Sequence, residues 1–328
     1  MAGRLVHLDG PARSAVLQTP VAWHYLTVTK SDESIAMVPP YMKYEFAESV
    51  LGKVFPDLAA KPESIFDTQS AALFSAEQTL LMNPDVILSW YYQTQDLEKI
   101  KFPGLIVINR DGRYKEKLYQ VLGQLTGQEK RVEDMWARNR ADEAALFAEI
   151  PSDLEEKSLV VIGSDLFALW TGSAFRKFED DLKSLRARNL AERSPNPDAR
   201  LNMESLLMTD PDFIFINPFS SYFTTLTADD IYRAPALSGL RAVANRRVYH
   251  MPKGAARMEG PYEDYLLMLW MVLVMHQELN LDRDLRAEIR DSYRRAFDYE
   301  MSEDEIDDWL RLSENLLSSG YGRFKRTF

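Results

Sequence analysis

The chain contains no cysteine. Disulfides, thiolate nucleophiles and cysteine-held zinc or iron–sulfur centres are therefore excluded. The compartment stays open, because a large domain is stable outside the cell without disulfides. Histidine is nearly as scarce: His7, His24, His250 and His276 are the only four. No two of them stand four apart, which excludes a zinc hydrolase of the His-Glu-x-x-His type. Long apolar runs are also missing. The longest, Leu266–Met275, has ten residues, where a membrane-spanning helix needs about 20. It is expected to be a buried core helix. Basic blocks are absent as well. Lys+Arg is 39 against Asp+Glu 50, a formal net charge of −11, so nucleic-acid phosphate and anionic lipid repel the chain. Arg323, Lys325 and Arg326 read as a solvated tail, and no nucleic-acid partner is expected.

What is present is an ordinary globular composition, 46% hydrophobic and 27% charged, over 328 residues. At about 100–200 residues per domain this suggests two lobes. The most informative feature is an internal repeat. Glu77, Leu80, Pro84, Asp85 and Ile87 recur 127 positions later as Glu204, Leu207, Pro211, Asp212 and Ile214. Each copy reads as a short helix with Glu in its first turn, where negative charge suits the helix dipole. Proline then stops the helix. A continuous apolar run follows, as in a strand buried on both faces of a parallel sheet. A unit that recurs once argues for two similar α/β lobes rather than a solenoid.

The remaining pattern fits that reading. Strands are expected near 12–18, 34–38, 86–90 and 105–108 in the first half, and near 158–162, 213–216 and 247–250 in the second. The proline-free, charged stretch 114–150 reads as a stiff connecting helix. The expected division is therefore an N-terminal lobe 1–113, a connecting helix 114–150, a C-terminal lobe 151–260, and C-terminal helices 261–328 that pack back across the lobes. Asp85 and Asp212 invite a catalytic reading as paired carboxylates. A Pro-Asp between helix and strand is more simply turn chemistry, with the carboxylate accepting backbone hydrogen bonds.

The paired helix–Pro-Asp–strand units resemble those of substrate-binding proteins of bacterial ABC importers. The resembling group is the rigid-hinge class that serves ferric siderophores, haem, cobalamin and some oxyanions. Arg4–Gly10, Phe55-Pro56-Asp57-Leu58, Phe102–Ile108, Leu237–Tyr249 and Asp298–Ile306 add matches in order along nearly the whole chain. One segment departs from the pattern: Pro20-Val-Ala-Trp23-His24-Tyr25 stands where many members carry small residues with a Thr-Glu or Ser-Glu pair. The resemblance implies two parallel-sheet α/β lobes joined by one long helix, with a ligand cleft between the lobes. It further implies a monomer that captures a metal chelate, a ferric siderophore above all, without catalysis, cofactor or resident metal. The location implied is periplasmic or extracytoplasmic and membrane-anchored, with the signal segment outside this sequence. Glu77 and Glu204 are the expected contacts to a permease dimer, where charge pairs set register and association rate.

In α/β lobes ligands bind beyond the carboxyl ends of the strands, and aromatics concentrate at those positions here. Candidate ligand contacts are His24 after the first strand, Tyr41 after the second, Tyr91 and Tyr92 after the third, and Arg110 after the fourth. In the second half they are Trp170, Tyr222, Arg257 and Tyr262. Aromatic rings supply flat contact area at low entropy cost, and arginine recognises oxyanions bidentately. Such a set suits a flat anionic chelate. A lone histidine such as His24 is more often a satisfied structural residue than a direct metal ligand. Haem, cobalamin and oxyanion ligands remain alternatives within the class. A two-lobed cofactor-assembly protein would call for cysteine ligands that this chain does not have, and an interaction protein without a ligand is the third reading.

Overall fold

The structure, a computed structural model, describes residues 6–17, 19–38, 49–63, 76–90, 102–108, 114–162, 169–170, 179–190, 200–201, 203–217, 226–255, 258 and 260–326. The chain divides into two compact units. One comprises Met1–Ala137 with Arg295–Tyr299, the other Arg138–Arg294 with Glu300–Phe328.

The first unit is built on strands β1 (Ala15–Leu17), β2 (Ile35–Met37), β3 (Val86–Trp90) and β4 (Leu105–Ile108), all parallel, in the order β2-β1-β3-β4. Helices α1 (Thr19–Thr29), α2 (Val50–Val54), α3 (Ala76–Met82) and α4 (Tyr114–Thr126) accompany them. Val16, Ile87, Leu105 and Phe102 form one buried cluster. A chain of three consecutive apolar residues at β1 is buried throughout, as a strand covered on both faces requires.

Helix α5 (Glu129–Ala148) follows α4. The expected single helix over 114–150 is thus corrected to two. Gly127, at φ +67°, supplies the left-handed residue that ends α4. Gln128 N–H closes onto the Gly123 carbonyl at 2.8 Å. The long connecting helix is α5 alone, and the boundary between the units falls inside it, at Ala137/Arg138. The expected lobe limits shift accordingly: α4 counts with the first unit. Of the C-terminal helices, only Arg295–Tyr299 joins that unit. There Phe297 meets Phe55 edge-on at 6.1 Å, Arg131 donates to the Ala296 carbonyl at 2.7 Å, and Lys30 pairs with Asp298 at 2.5 Å.

The second unit repeats the winding. Its parallel sheet of β5 (Lys157–Ile162), β7 (Ala187–Asn189), β9 (Phe213–Ile216) and β10 (Val248–His250) has the order β10-β9-β5-β7. Read from the other edge this is β7-β5-β9-β10, the same second-first-third-fourth sequence as in the first unit. A two-residue antiparallel pair, β6 (Leu169–Trp170) with β8 (Arg200–Leu201), stands apart from it. Between and after the strands come α6 (Glu179–Ser184), α7 (Met203–Thr209), α8 (Ala228–Arg233), α9 (Arg241–Ala244), α10 (Pro261–Met275), α11 (Leu285–Phe297), α12 (Glu303–Trp309) and α13 (Leu312–Asn315). The apolar run Leu266–Met275 is indeed a core helix: every residue of it is buried. Trp270 meets Phe215 at 5.3 Å between ring centroids and donates from Nε1 to the Tyr321 hydroxyl at 3.0 Å. Ser302 and Glu305 cap α12 reciprocally, at 2.7 Å and 3.3 Å, satisfying two otherwise orphan donors.

The repeat itself has one structural solution in both units. The helix ends where Asn83 and Asp210 adopt φ +43° and +40°, a conformation that Asn and Asp tolerate. The next aspartate then clamps the neighbouring strand. Asp85 Oδ2 accepts from Arg13 N–H at 2.7 Å and Ser14 N–H at 3.1 Å. Asp212 Oδ2 accepts from Ser158 N–H at 2.9 Å and from its hydroxyl at 2.7 Å. Arg241 adds a 2.8 Å contact to Asp212 Oδ1. The turn-chemistry reading of these aspartates therefore holds in the geometry.

Two predictions follow from this packing. A Cβ at Gly104 would lie 2.1 Å from the Asp85 carbonyl oxygen, which is backbone. Gly104→Ala should cost about 2 kcal/mol or more of stability in a urea titration, whereas Gly239→Ala, with open space around it, should not. The second concerns acid. Burial, and then Arg311, push the His250 imidazole down from 6.5 to about 4. Burial also lowers His276. An imidazole depressed in the folded state binds fewer protons than in the unfolded chain. Its contribution is complete above 6.5 and is lost as pH falls towards 4. Asp212 acts lower: burial works upward, but the Ser158 hydrogen bonds and Arg241 outweigh it, and the net shift is downward from 3.8. Melting temperature against pH should lose part of its slope between 6.5 and 4 in His250→Gln, and part of its slope below 3.8 in Asp212→Asn.

Candidate functional site

A sheet wound in the order second-first-third-fourth reverses direction between its first and third strands. The crevice at that switch point, beyond the carboxyl ends, is where open α/β sheets bind ligands. In the first unit the switch lies between β1 and β3, which pair from Ala15↔Val86 to Leu17↔Leu88. In the second it lies between β5 and β9, paired from Leu159↔Phe213 to Ile162↔Ile216. Tyr91 and Tyr92 continue directly from Trp90, the last residue of β3. Tyr222 follows β9 by six positions. Along the sequence these three follow the strands at the switch points, whereas Tyr41, Arg110 and Arg257 follow the flanking strands β2, β4 and β10. All six lie outside the described residues.

The structure corrects the reading of the segment after β1. Trp23, His24 and Tyr25 are not in a loop at a strand exit but in the middle of α1, and all three are buried. His24 Nδ1 stands 3.1 Å from the Tyr119 hydroxyl, with the rings edge to face at 5.3 Å. Tyr119 in turn meets Trp136 edge-on at 5.8 Å. His24 is a core residue that ties α1 to α4. The apolar content of α1 explains the placement: Val21, Ala22, Leu26 and Val28 are fully buried with it.

Trp170 is also placed differently. It ends β6, opposite Arg200 of β8, in the small antiparallel pair and not at the exit of a parallel strand. Tyr262 lies in the first turn of α10, half-buried, its ring edge-on to Tyr293 at 5.5 Å. Its carbonyl accepts from the Ser292 hydroxyl at 2.6 Å. Around it the chain after β10 is held firmly. The Tyr293 hydroxyl donates to the fully buried Glu263 at 2.6 Å and accepts from Ala255 N–H at 2.7 Å. Burial and the Glu263 carboxylate raise the Tyr293 phenol well above its ordinary value. A side chain at Gly254 would meet the Glu263 carboxylate at 2.3 Å. Sequence reasoning missed this Glu263–Tyr293 anchor, because neither residue stands in a motif and the pair is 30 positions apart.

Glu77 and Glu204 occupy the first turns of α3 and α7 and are exposed. Gln78 ties α3 to the Glu63 carbonyl at 2.8 Å. Asp85 and Asp212 are engaged with backbone and Ser158, so they are not free for acid–base work. Among the described residues, no three His, Asp or Glu side chains converge as a metal site. None of the helices among the described residues is long and apolar enough to cross a membrane.

Solved structures share this fold over almost the entire chain. A periplasmic solute binding protein from Veillonella parvula is 22% identical, with TM-score 0.81, covering 96% of this chain and 97% of its own. CeuE of Helicobacter pylori, solved as a Ni-His complex, is 16% identical with TM-score 0.71, covering 93% and 95%. The molybdate-bound MolA of Haemophilus influenzae is 14% identical with TM-score 0.71, covering 91% and 97%. No curated protein matches at a significant level. The profile described as "Periplasmic binding protein" matches residues 52–255, more than half of the sequence and both copies of the repeat. The chain belongs to the periplasmic binding protein family.

Proposed function

We propose that this protein captures a metal chelate, a ferric siderophore foremost, outside the cytoplasmic membrane and delivers it to the permease dimer of an ABC importer. It works as a monomer, free in the periplasm or held at the membrane, and does not transform its ligand. The observation that carries the ligand reading is the pair Tyr91-Tyr92 directly after the central strand β3, at the switch point of the first sheet. Arg110 and Arg257 follow strands of the same two sheets and supply positive charge for an anionic chelate. Structural neighbours bound to Ni-His and to molybdate support a metal-containing ligand. The molybdate complex also favours a second reading, a free oxyanion, in which the arginines matter and the aromatics do not.

Delivery is assigned to Glu77 and Glu204. Both stand exposed on equivalent helices in the two units, and carboxylates so placed suit basic residues on two copies of a permease subunit.

The protein has six tryptophans, so binding can be followed by quenching. Ferric catecholate and hydroxamate siderophores, haem, cyanocobalamin and molybdate would be titrated in turn. A ferric siderophore should quench with micromolar or tighter affinity. Tyr91→Ala with Tyr92→Ala should cost about 2 kcal/mol or more of it, and Arg257→Ala a comparable amount. Tight molybdate binding that survives loss of both tyrosines would replace the chelate reading with the oxyanion one. No binding of any of the five would reject both.

A further inference from the structure

The repeat carries more than its glutamates. Leu80 and Leu81 are 50% and 81% exposed, and Leu207 and Met208 are 42% and 81% exposed. Displaced by the same 127 positions, Leu81 corresponds to Met208 and Leu80 to Leu207. Each helix is anchored on its inner side: Leu206 of α7 belongs to the second unit's core cluster and Met82 of α3 packs against the first's. The outward face is what is left over. On a helix, residues three and four apart share a face. Glu77 therefore shares one with Leu80 and Leu81, and Glu204 with Leu207 and Met208. A single exposed leucine means little. A corresponding apolar pair beside the same carboxylate, exposed in both units, sets this patch apart from scattered single leucines. Among the described residues only Leu316 and Leu317 are comparable large exposed apolar side chains.

We infer that Leu81 and Met208, flanked by Leu80 and Leu207, are apolar anchors that seat on the permease, one on each of its two subunits, next to the contacts of Glu77 and Glu204. The inference rests on the delivery reading above and adds the source of its affinity. The occupant follows from charge and repetition. A second copy of this chain would bring carboxylate against carboxylate in an isologous contact, between molecules of net charge −11 each. An anionic lipid surface meets the same repulsion. A partner that offers a cation beside an apolar pocket has neither problem. Because the patch occurs twice in one chain, such a partner offers that surface twice, as two copies of one subunit do. The labour then divides. The carboxylates steer encounter and make it salt-dependent, whereas burial of the leucines and methionine holds the complex and sets its dissociation rate.

The test uses the full chain and its cognate permease–ATPase transporter in nanodiscs, with association and dissociation rates measured across salt concentrations. Leu81→Gln with Met208→Gln should raise the dissociation rate about 100-fold and leave the salt dependence of association unchanged. Glu77→Gln with Glu204→Gln should slow association and flatten its salt dependence. Leu316→Gln with Leu317→Gln, as control, should do neither. All three pairs are exposed, so melting temperatures and siderophore quenching should match wild type, which separates docking from folding. If the Leu81/Met208 pair is silent while the glutamate pair is not, the apolar anchors are refuted and the delivery reading stands. If both pairs are silent, the delivery reading itself fails. A wild-type dimer in sedimentation that the Leu81/Met208 substitutions abolish would assign the patch to self-association and overturn the inference.

Discussion

One carboxylate at the amino end of the third strand organises each lobe. A parallel strand begins with N–H groups that the ladder leaves without acceptors, and both lobes supply an acceptor at the same place. Asp85 takes two such donors from the chain entering β1. Asp212 takes the corresponding donor and the hydroxyl of Ser158 in β5. Each aspartate thereby fastens the start of β3 to that of β1, or of β9 to that of β5. That adjacency is the switch point of the sheet. Strand order, the direction in which loops leave the sheet, and the place where a ligand can be met all depend on it.

Around this shared frame the two units are completed by different means. The first draws on a short returning segment, where Phe297, the Ala296 carbonyl and Asp298 engage Phe55, Arg131 and Lys30. The second is closed by α10 and an aromatic group comprising Phe215, Tyr249, Trp270 and Tyr321. Asn315 finishes its sheet: the side chain accepts from His250 N–H at 2.7 Å and donates to the His250 carbonyl at 3.0 Å, as a neighbouring strand would. The edge strand β10 is thus covered, which removes a site for unwanted pairing.

Repeated and unrepeated features separate by role in the proposed reading. Glu77 with Glu204 and Leu81 with Met208 repeat, and a two-subunit membrane partner is what a repeated surface fits. Tyr91-Tyr92 and Arg257 are not repeated identically at the shift of 127, where Pro218-Phe219 and Lys130 stand, and an asymmetric chelate needs no exact repeat. Fold and partner contact are then constrained by the same duplicated unit, while the ligand-facing chain is free to differ between lobes.

Seven of the ten strands among the described residues, the two repeat helices and the buried helix over Leu266–Met275 were legible from sequence. Continuous apolar runs next to Pro-Asp have few solutions besides buried parallel strands, and a ten-residue apolar run without charge has to be internal. The rest needed tertiary structure, for identifiable reasons. The split of the connector turned on Gly127 adopting a positive φ, which a charged helical pattern does not reveal. The pair β6–β8 has two residues per strand, too few for any periodicity. Trp23-His24-Tyr25 carry polar tips and look like site residues, yet α1 is covered on all sides and His24 finds its partner in Tyr119, 95 positions away. Glu263 and Tyr293 meet only because α10 and α11 pack together. Local pattern determined the elements and their duplication. Which polar side chains face inward was decided by partners distant in sequence, since most buried polar groups are kept where the fold brings them a hydrogen bond.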